Sequence, residues 1–256
     1  MKAQPLIYMD IHRITFPPSA LLALPRPQLS AFLLLGHLLN EANWLQKLLL
    51  YSVPDDDGGV PEKHARLALS VTASHMLAAK IHEGWLKLTS GKLATTLGEL
   101  PQSKKLTNVR AKLRELLRKD SLIHKIRNHH AFHYPPALSL DALPGIAQND
   151  CAMYLTEHVG DTLSLVSALS AAAEMNSATG LSHVGKTVDR VRKEINKATR
   201  LYSDFLHGSL QLLIDASLGD SFERSVVAKG SAAPLVGVRA PFFLQANRSS
   251  KSRRGT

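Results

Sequence analysis

The chain has 256 residues, 45% of them hydrophobic, 20% charged and 5% aromatic, with a formal net charge of +10 at pH 7. A core with so few aromatics is built from Leu, Ala, Ile and Val, a helical more than a sheet palette, and the charge favours polyanionic partners: nucleic acid, an anionic membrane or an acidic protein. One cysteine, Cys151, excludes an intrachain disulfide and a multi-cysteine zinc site, and fits a reducing, cytoplasmic setting.

In chain order, residues 1–27 are punctuated by Pro5, Pro17, Pro18, Pro25 and Pro27 and read as an extended arm, with Ile11 to Phe16 as a short extended piece and no helix. The apolar run from Ser19 to Leu39 is no membrane span, because Pro25, Arg26 and Pro27 interrupt it and His37, Asn40 and Glu41 follow. Leu29, Phe32, Leu33, Leu39, Ala42, Leu45 and Leu48 predict a helix from about Gln28 to Ser52, ended by Pro54 and the Asp55–Gly59 turn. Pro61 and Glu62 suit the start of a second helix reaching about Thr89, and Leu93 to Leu100 hold a short further turn.

A third helix is expected from Lys104 to His130, with Leu106, Val109, Leu113, Leu116, Ile123 and Ile126 on its buried face. Residues 101–133 carry nine Lys or Arg against Glu115 and Asp120, a balance of 9 − 2 = +7, and Pro135 and Pro136 close the helix. Lys104, Lys105, Arg110, Arg114, Arg118 and Lys125 on it are the candidate nucleic-acid contacts. Two more helices follow, from about Ala152 to Met175 and from His183 to Ser217, the latter with a bend or break expected at Gly208–Ser209 and a basic side of Lys186, Arg190, Arg192, Lys193, Lys197 and Arg200. Trp44 and Trp85, both inside helices, read as core or packing residues rather than base-stacking platforms. Residues 219–256 lose the periodicity and end in a basic tail read as disordered. The expectation is an all-α, up-and-down bundle of about five helices over 28–218, flanked by the arm and the tail.

One segment carries chemistry. Arg127-Asn128-His129-His130-Ala131-Phe132-His133-Tyr134 places an arginine, a polar residue and, after five intervening residues from Arg127, a histidine. An imidazole titrates near neutrality and serves as base or acid, while a guanidinium stays charged and presents a planar fork to phosphate oxygens. Six steps of about 100° put Arg127 and His133 about 120° apart on a continuous helix, so they meet only if the helix ends near Ala131. This segment resembles the signature of the HEPN superfamily, helical-bundle proteins many of which are metal-independent RNases of toxin, antiphage and RNA-surveillance systems. The resemblance spans about ten residues. It implies catalysis by Arg127 and His133 with Asn128 orienting the histidine or the phosphate, no cofactor, a homodimer with one motif from each protomer, and a possible antitoxin partner.

Arg118 with His124, and Arg200 with His207, satisfy the same loose spacing. Arg127 is preferred because Asn128 follows it; Arg200 and His207 stay secondary candidates, as do His129, His130, Tyr134 and Glu41, the last with Asn40 as polar residues of an apolar helix. A tyrosine two positions after the histidine would mark a modification site in this superfamily, but Pro135 stands there and Tyr134 comes one position early. Three other readings compete. Asn128 and His133 could cap the helix while Arg127 pairs with a carboxylate. His124, His129, His130 and His133 could hold a metal, with His37, His75, His82 or Glu41 completing the set, although no HExxH pattern is present. The basic helices could form a non-catalytic docking module for nucleic acid or an acidic partner. Gly58–Gly59 is a turn and no phosphate loop, since no Lys-Ser or Lys-Thr follows.

Overall fold

The computed structural model describes residues 7–53, 59–101, 103–128, 143–144, 146–156, 161–219 and 221–232. About 75% of them are helical, in eight α-helices rather than five. They are α1 (Pro18–Leu22), α2 (Arg26–Tyr51), α3 (Val60–Thr89), α4 (Gly91–Gly98), α5 (Lys104–Leu116), α6 (Leu122–Ile126), α7 (Leu165–Thr179) and α8 (Val184–Ser217). No helix among the described residues is long and apolar enough to cross a membrane.

The long helices α3 and α8 organise the rest. α3 starts with Pro61 in its first turn and Glu62 near its N-terminus, where a missing N–H costs nothing and an acid meets the helix dipole favourably. Ala65, Ala68, Ala73, Ala78 and Ala79 are all buried along it. These small side chains let α2, α7 and α8 pack closely against it, with α4 and α6 also in contact. α8 buries Val188, Val191, Ile195, Ala198, Tyr202, Phe205, Leu206 and Leu213 on one side. It does not break at Gly208. A side-chain carbon there would stand 3.0 Å from Leu106 Cδ1, so the glycine serves the close approach of α5.

Other expectations change as well. The arm contains helix α1, whose Pro18 sits in the first turn, where proline is tolerated. The region read as tail begins with a strand: β1 (Ile7–Thr15) pairs antiparallel with β4 (Glu223–Ala232), from Ile7↔Ala232 to Thr15↔Glu223, with a register shift at Ile11/His12. Residues 233–256 lie outside the described set. The ribbon is fastened where Phe16 meets Phe32 edge-on at 5.4 Å between ring centres and Phe222 at 5.8 Å, beside buried Leu24, Ile214 and Leu218. The helix expected from Ala152 begins only at Leu165, because β2 (Met153–Tyr154) and β3 (Leu163–Ser164) pair first. Tyr154 ties this pair to α3 through a 2.7 Å hydrogen bond with His64 Nδ1. Trp85 is core as expected, but Trp44 is 69% exposed, with Lys47 Nζ 5.2 Å from its ring centre.

The expected third helix is split. α5 ends at Leu116, Asp120 adopts a left-handed backbone (φ 71°), and α6 restarts behind Ser121. Ser103 Oγ accepts from the Leu106 N–H at 3.1 Å and Ser121 Oγ from the His124 N–H at 3.2 Å, so each segment carries its own N-cap. The break turns α6 onto α3 and α7.

Candidate functional site

α6 buries Ile123 and Ile126 completely, and this anchoring fixes the direction of the residues that follow. Arg127 and Asn128 continue it as a wider, π-type turn, a local geometry that recurs at functional sites. Both are half-buried beside α3. There Glu83 Oε1 accepts from Arg127 Nε at 2.7 Å and lies 2.5 Å from Nη2. Arg127 Nη1 donates to Asn128 Oδ1 at 2.7 Å. The Asn128 amide nitrogen stands 3.1 Å from His124 Nε2. The same amide nitrogen lies 3.4 Å from His124 Nδ1, which also accepts from the Asp120 N–H at 3.4 Å. Asn128 therefore links the guanidinium to an imidazole.

Counting donors shows what this arrangement leaves open. A guanidinium has five N–H bonds. Glu83 engages one on Nε and one on Nη2, and Asn128 engages one on Nη1. Two have no partner among the described residues, one on each terminal nitrogen, and with the side chain 32% exposed they can meet an incoming anion while the Glu83 pair stays intact.

His82, one residue before Glu83, lies beneath the cluster. It is only 4% exposed, its ring centre is 5.1 Å from that of His124, and its Nδ1 has no hydrogen-bond partner among the described residues. Burial, with His124 and Arg127 beside it, holds its pKa below the ordinary 6.5, against a smaller opposing pull from Glu83. His82 is thus a neutral floor under a charged pair.

The sequence-derived residues divide into several groups. Arg127 and Asn128 bond each other, and Arg127 has the carboxylate partner that the competing reading required. His133, His129, His130 and Tyr134 lie outside the described residues. Glu41 bonds Lys80 Nζ at 2.6 Å and stands 3.6 Å from His37, so the carboxylate that meets Arg127 is Glu83 instead. Asn40 is exposed. Lys104, Lys105, Arg114 and Arg118 are exposed, Arg118 pairing with Glu115 at 3.1 Å, while Arg110 and Lys125 are half-buried. Arg200 and His207 are both exposed on α8. His124, which entered through the Arg118 spacing, belongs to the Arg127 cluster instead. No three His, Cys, Asp or Glu among the described residues converge as a metal would need, and His75 bonds Met175 Sδ at 3.2 Å.

Glu83 and the role of His124 escaped the sequence reading. The signal for Glu83 was the one that singled out Glu41, a carboxylate among apolar neighbours; periodicity does not say which cation each one meets. No family model, curated protein or solved structure matches the chain. The HEPN resemblance therefore rests on the motif and on its helical setting.

Proposed function

We propose that the protein is a metal-independent endoribonuclease of HEPN type, working as a homodimer with Arg127, Asn128 and His133 as its catalytic set. The observation that supports this reading most is the guanidinium of Arg127, held by Glu83 and Asn128 at a part-exposed site with two N–H donors that meet no partner among the described residues. Such a fork matches two non-bridging oxygens of one phosphodiester. In the reaction, His133 of one protomer takes the proton from a ribose 2′-hydroxyl, and the 2′-oxygen attacks the adjacent phosphorus. The bond to the 5′-oxygen breaks, and that oxygen leaves with a proton from the second His133. Arg127 stabilises the charge that builds on the phosphorus oxygens, where one preorganised donor is worth roughly 10²–10³ in rate. Glu83 acts as a positioning residue, fixing the plane of the guanidinium before RNA arrives.

The test is the product chemistry. Incubated with RNA in the presence of EDTA, the protein is expected to leave 2′,3′-cyclic phosphate and 5′-hydroxyl ends, and to spare a substrate that carries 2′-deoxyribose at the cleavage position. Cleavage that needs a divalent cation, or that proceeds at the deoxy position, contradicts this mechanism.

A non-catalytic nucleic-acid-docking module is the second reading, favoured by the exposed cations of α5 and α8. It predicts salt-sensitive RNA binding, no cleavage, and indifference to His133→Ala.

A further inference from the structure

The seam between α5 and α8 holds a groove that neither Arg127 nor Asn128 lines. Its main hollow encloses about 850 Å³ and carries Lys105 and Lys112 from α5, facing Lys197 and Arg200 from α8. A second hollow of about 300 Å³, which shares Lys105, Val109 and Asp204 with the first, continues it to His207. The floor is apolar, made by Val109, Leu116 and Leu201. Two acids also line it, Glu115 and Asp204, giving a balance of 4 − 2 = +2. Glu115 is already taken by Arg118, so Asp204 is the acid that opposes the four cations.

The cations of the groove extend along α8. Lys186, Arg190, Lys193, Lys197 and Arg200 are all exposed, at intervals of four, three, four and three residues. That spacing gathers them into an arc of about 80° over about 21 Å of helix. None of the five has a carboxylate partner among the described residues. Cations on a helix usually find acids at three or four residues' distance, and here Arg192 is the one that pairs, with Asp189 at 3.0 Å.

We infer that this groove and stripe are the track for a single strand of RNA, its phosphates on the α8 cations and an unpaired base on the floor of Val109, Leu116 and Leu201. A duplex hides its bases in the stack and would leave that floor empty, whereas a single strand can turn a base into it. The inference rests on the RNA-directed reading above and adds where the substrate lies. Lys87 on α3 and Lys92 on α4 are exposed and line neither hollow, so they supply the control.

The test uses a fluorescent 2′-O-methyl uridine 12-mer, which 2′-hydroxyl attack cannot cleave, so that binding is read apart from catalysis. Lys197→Glu/Arg200→Glu is expected to weaken binding roughly a hundredfold and to lower the slope of log affinity against log salt by about 1.4, two contacts' worth for a single strand. Lys87→Glu/Lys92→Glu is expected to change affinity by less than about fivefold, and poly-glutamate of equal charge, which has no base for the floor, to bind at least about tenfold more weakly. Circular dichroism of both variants checks that the helices persist. Equal losses in the two double variants, equal affinity for a duplex, equal affinity for poly-glutamate, or no binding by the native protein each overturn the proposal. Binding through the groove without cleavage of ordinary RNA sinks the nuclease reading alone; cleavage unaffected by Lys197→Glu/Arg200→Glu sinks the groove alone.

Discussion

Replacing Gly84 by alanine probes the place where α3 meets α2 and α8, next to the Glu83 that holds Arg127. On helix propensity alone the change should stabilise by about 0.8–1.0 kcal/mol. The packing opposes it. A side-chain carbon at this position would lie 1.9 Å from Tyr202 Oη, 3.0 Å from its Cζ and 3.1 Å from Leu38 Cδ2. Tyr202 is 1% exposed, so its ring has nowhere to swing. Overpacking of this kind costs about 1–3 kcal/mol, and a contact this short belongs at the upper end. The net effect expected is about 2 kcal/mol of destabilisation, or a fall in Tm of about 4–8 °C at this chain length. A second substitution separates packing from other causes. The Tyr202 hydroxyl is buried and has no hydrogen-bond partner among the described residues, so Tyr202→Phe by itself should be neutral or stabilising by about 1 kcal/mol. In the Gly84→Ala background it also relieves the closest contact, and a double-mutant cycle read by urea denaturation should give a favourable coupling above about 1 kcal/mol. If Gly84→Ala raises Tm, or the two changes simply add, the close approach of α8 to α3 at Gly84 is wrong.

Three more outcomes follow from the site and its supports. Glu83→Gln should lower kcat for RNA cleavage roughly ten- to hundredfold with little change in KM, because it loosens the guanidinium without removing it; an unchanged kcat would deny Glu83 a positioning role. Thermal stability should fall as pH drops below the ordinary histidine value of 6.5 towards the lower pKa that His82 has in the fold. The unfolded chain takes up this proton first, so acid favours unfolding, and His82→Leu should flatten the dependence between pH 7 and 5 in a calorimetric series. Ser121→Ala removes the cap of α6, whose hydroxyl accepts from the His124 N–H, and should cost about 1 kcal/mol in denaturant unfolding; a loss well under that value would mean that tertiary contacts alone fix α6.

How far the sequence could be read varied with the range of the forces involved. α3 and α8 were legible because long apolar stripes, Leu77–Ile81–Gly84 on one and Val188–Val191–Ile195–Ala198 on the other, record burial at helical spacing. The break between α5 and α6 was hidden, since Asp120 takes a left-handed backbone that is usual for glycine and the stripe through Ile123 and Ile126 runs on across it. The pairing of β1 with β4 joins residues more than 200 positions apart, and no local pattern encodes such a partner. A place inside a helix reads as core or packing for Trp44, yet it stands on the solvent side of α2. At the candidate site, Arg127 and Asn128 were legible as residue types at a meaningful spacing. Glu83 was not, because the choice between two carboxylates on different helices, Glu83 for Arg127 and Glu41 for Lys80, is made by packing.

The central claim is that Arg127 and His133 together cleave RNA. Its most direct test is a rate measurement on Arg127→Ala and His133→Ala, purified in parallel with the native protein and matched to it by circular dichroism. Each variant is expected to lose at least about a hundredfold in cleavage rate with its helicity unchanged. Undiminished cleavage by both, or none by the native protein, would contradict the account.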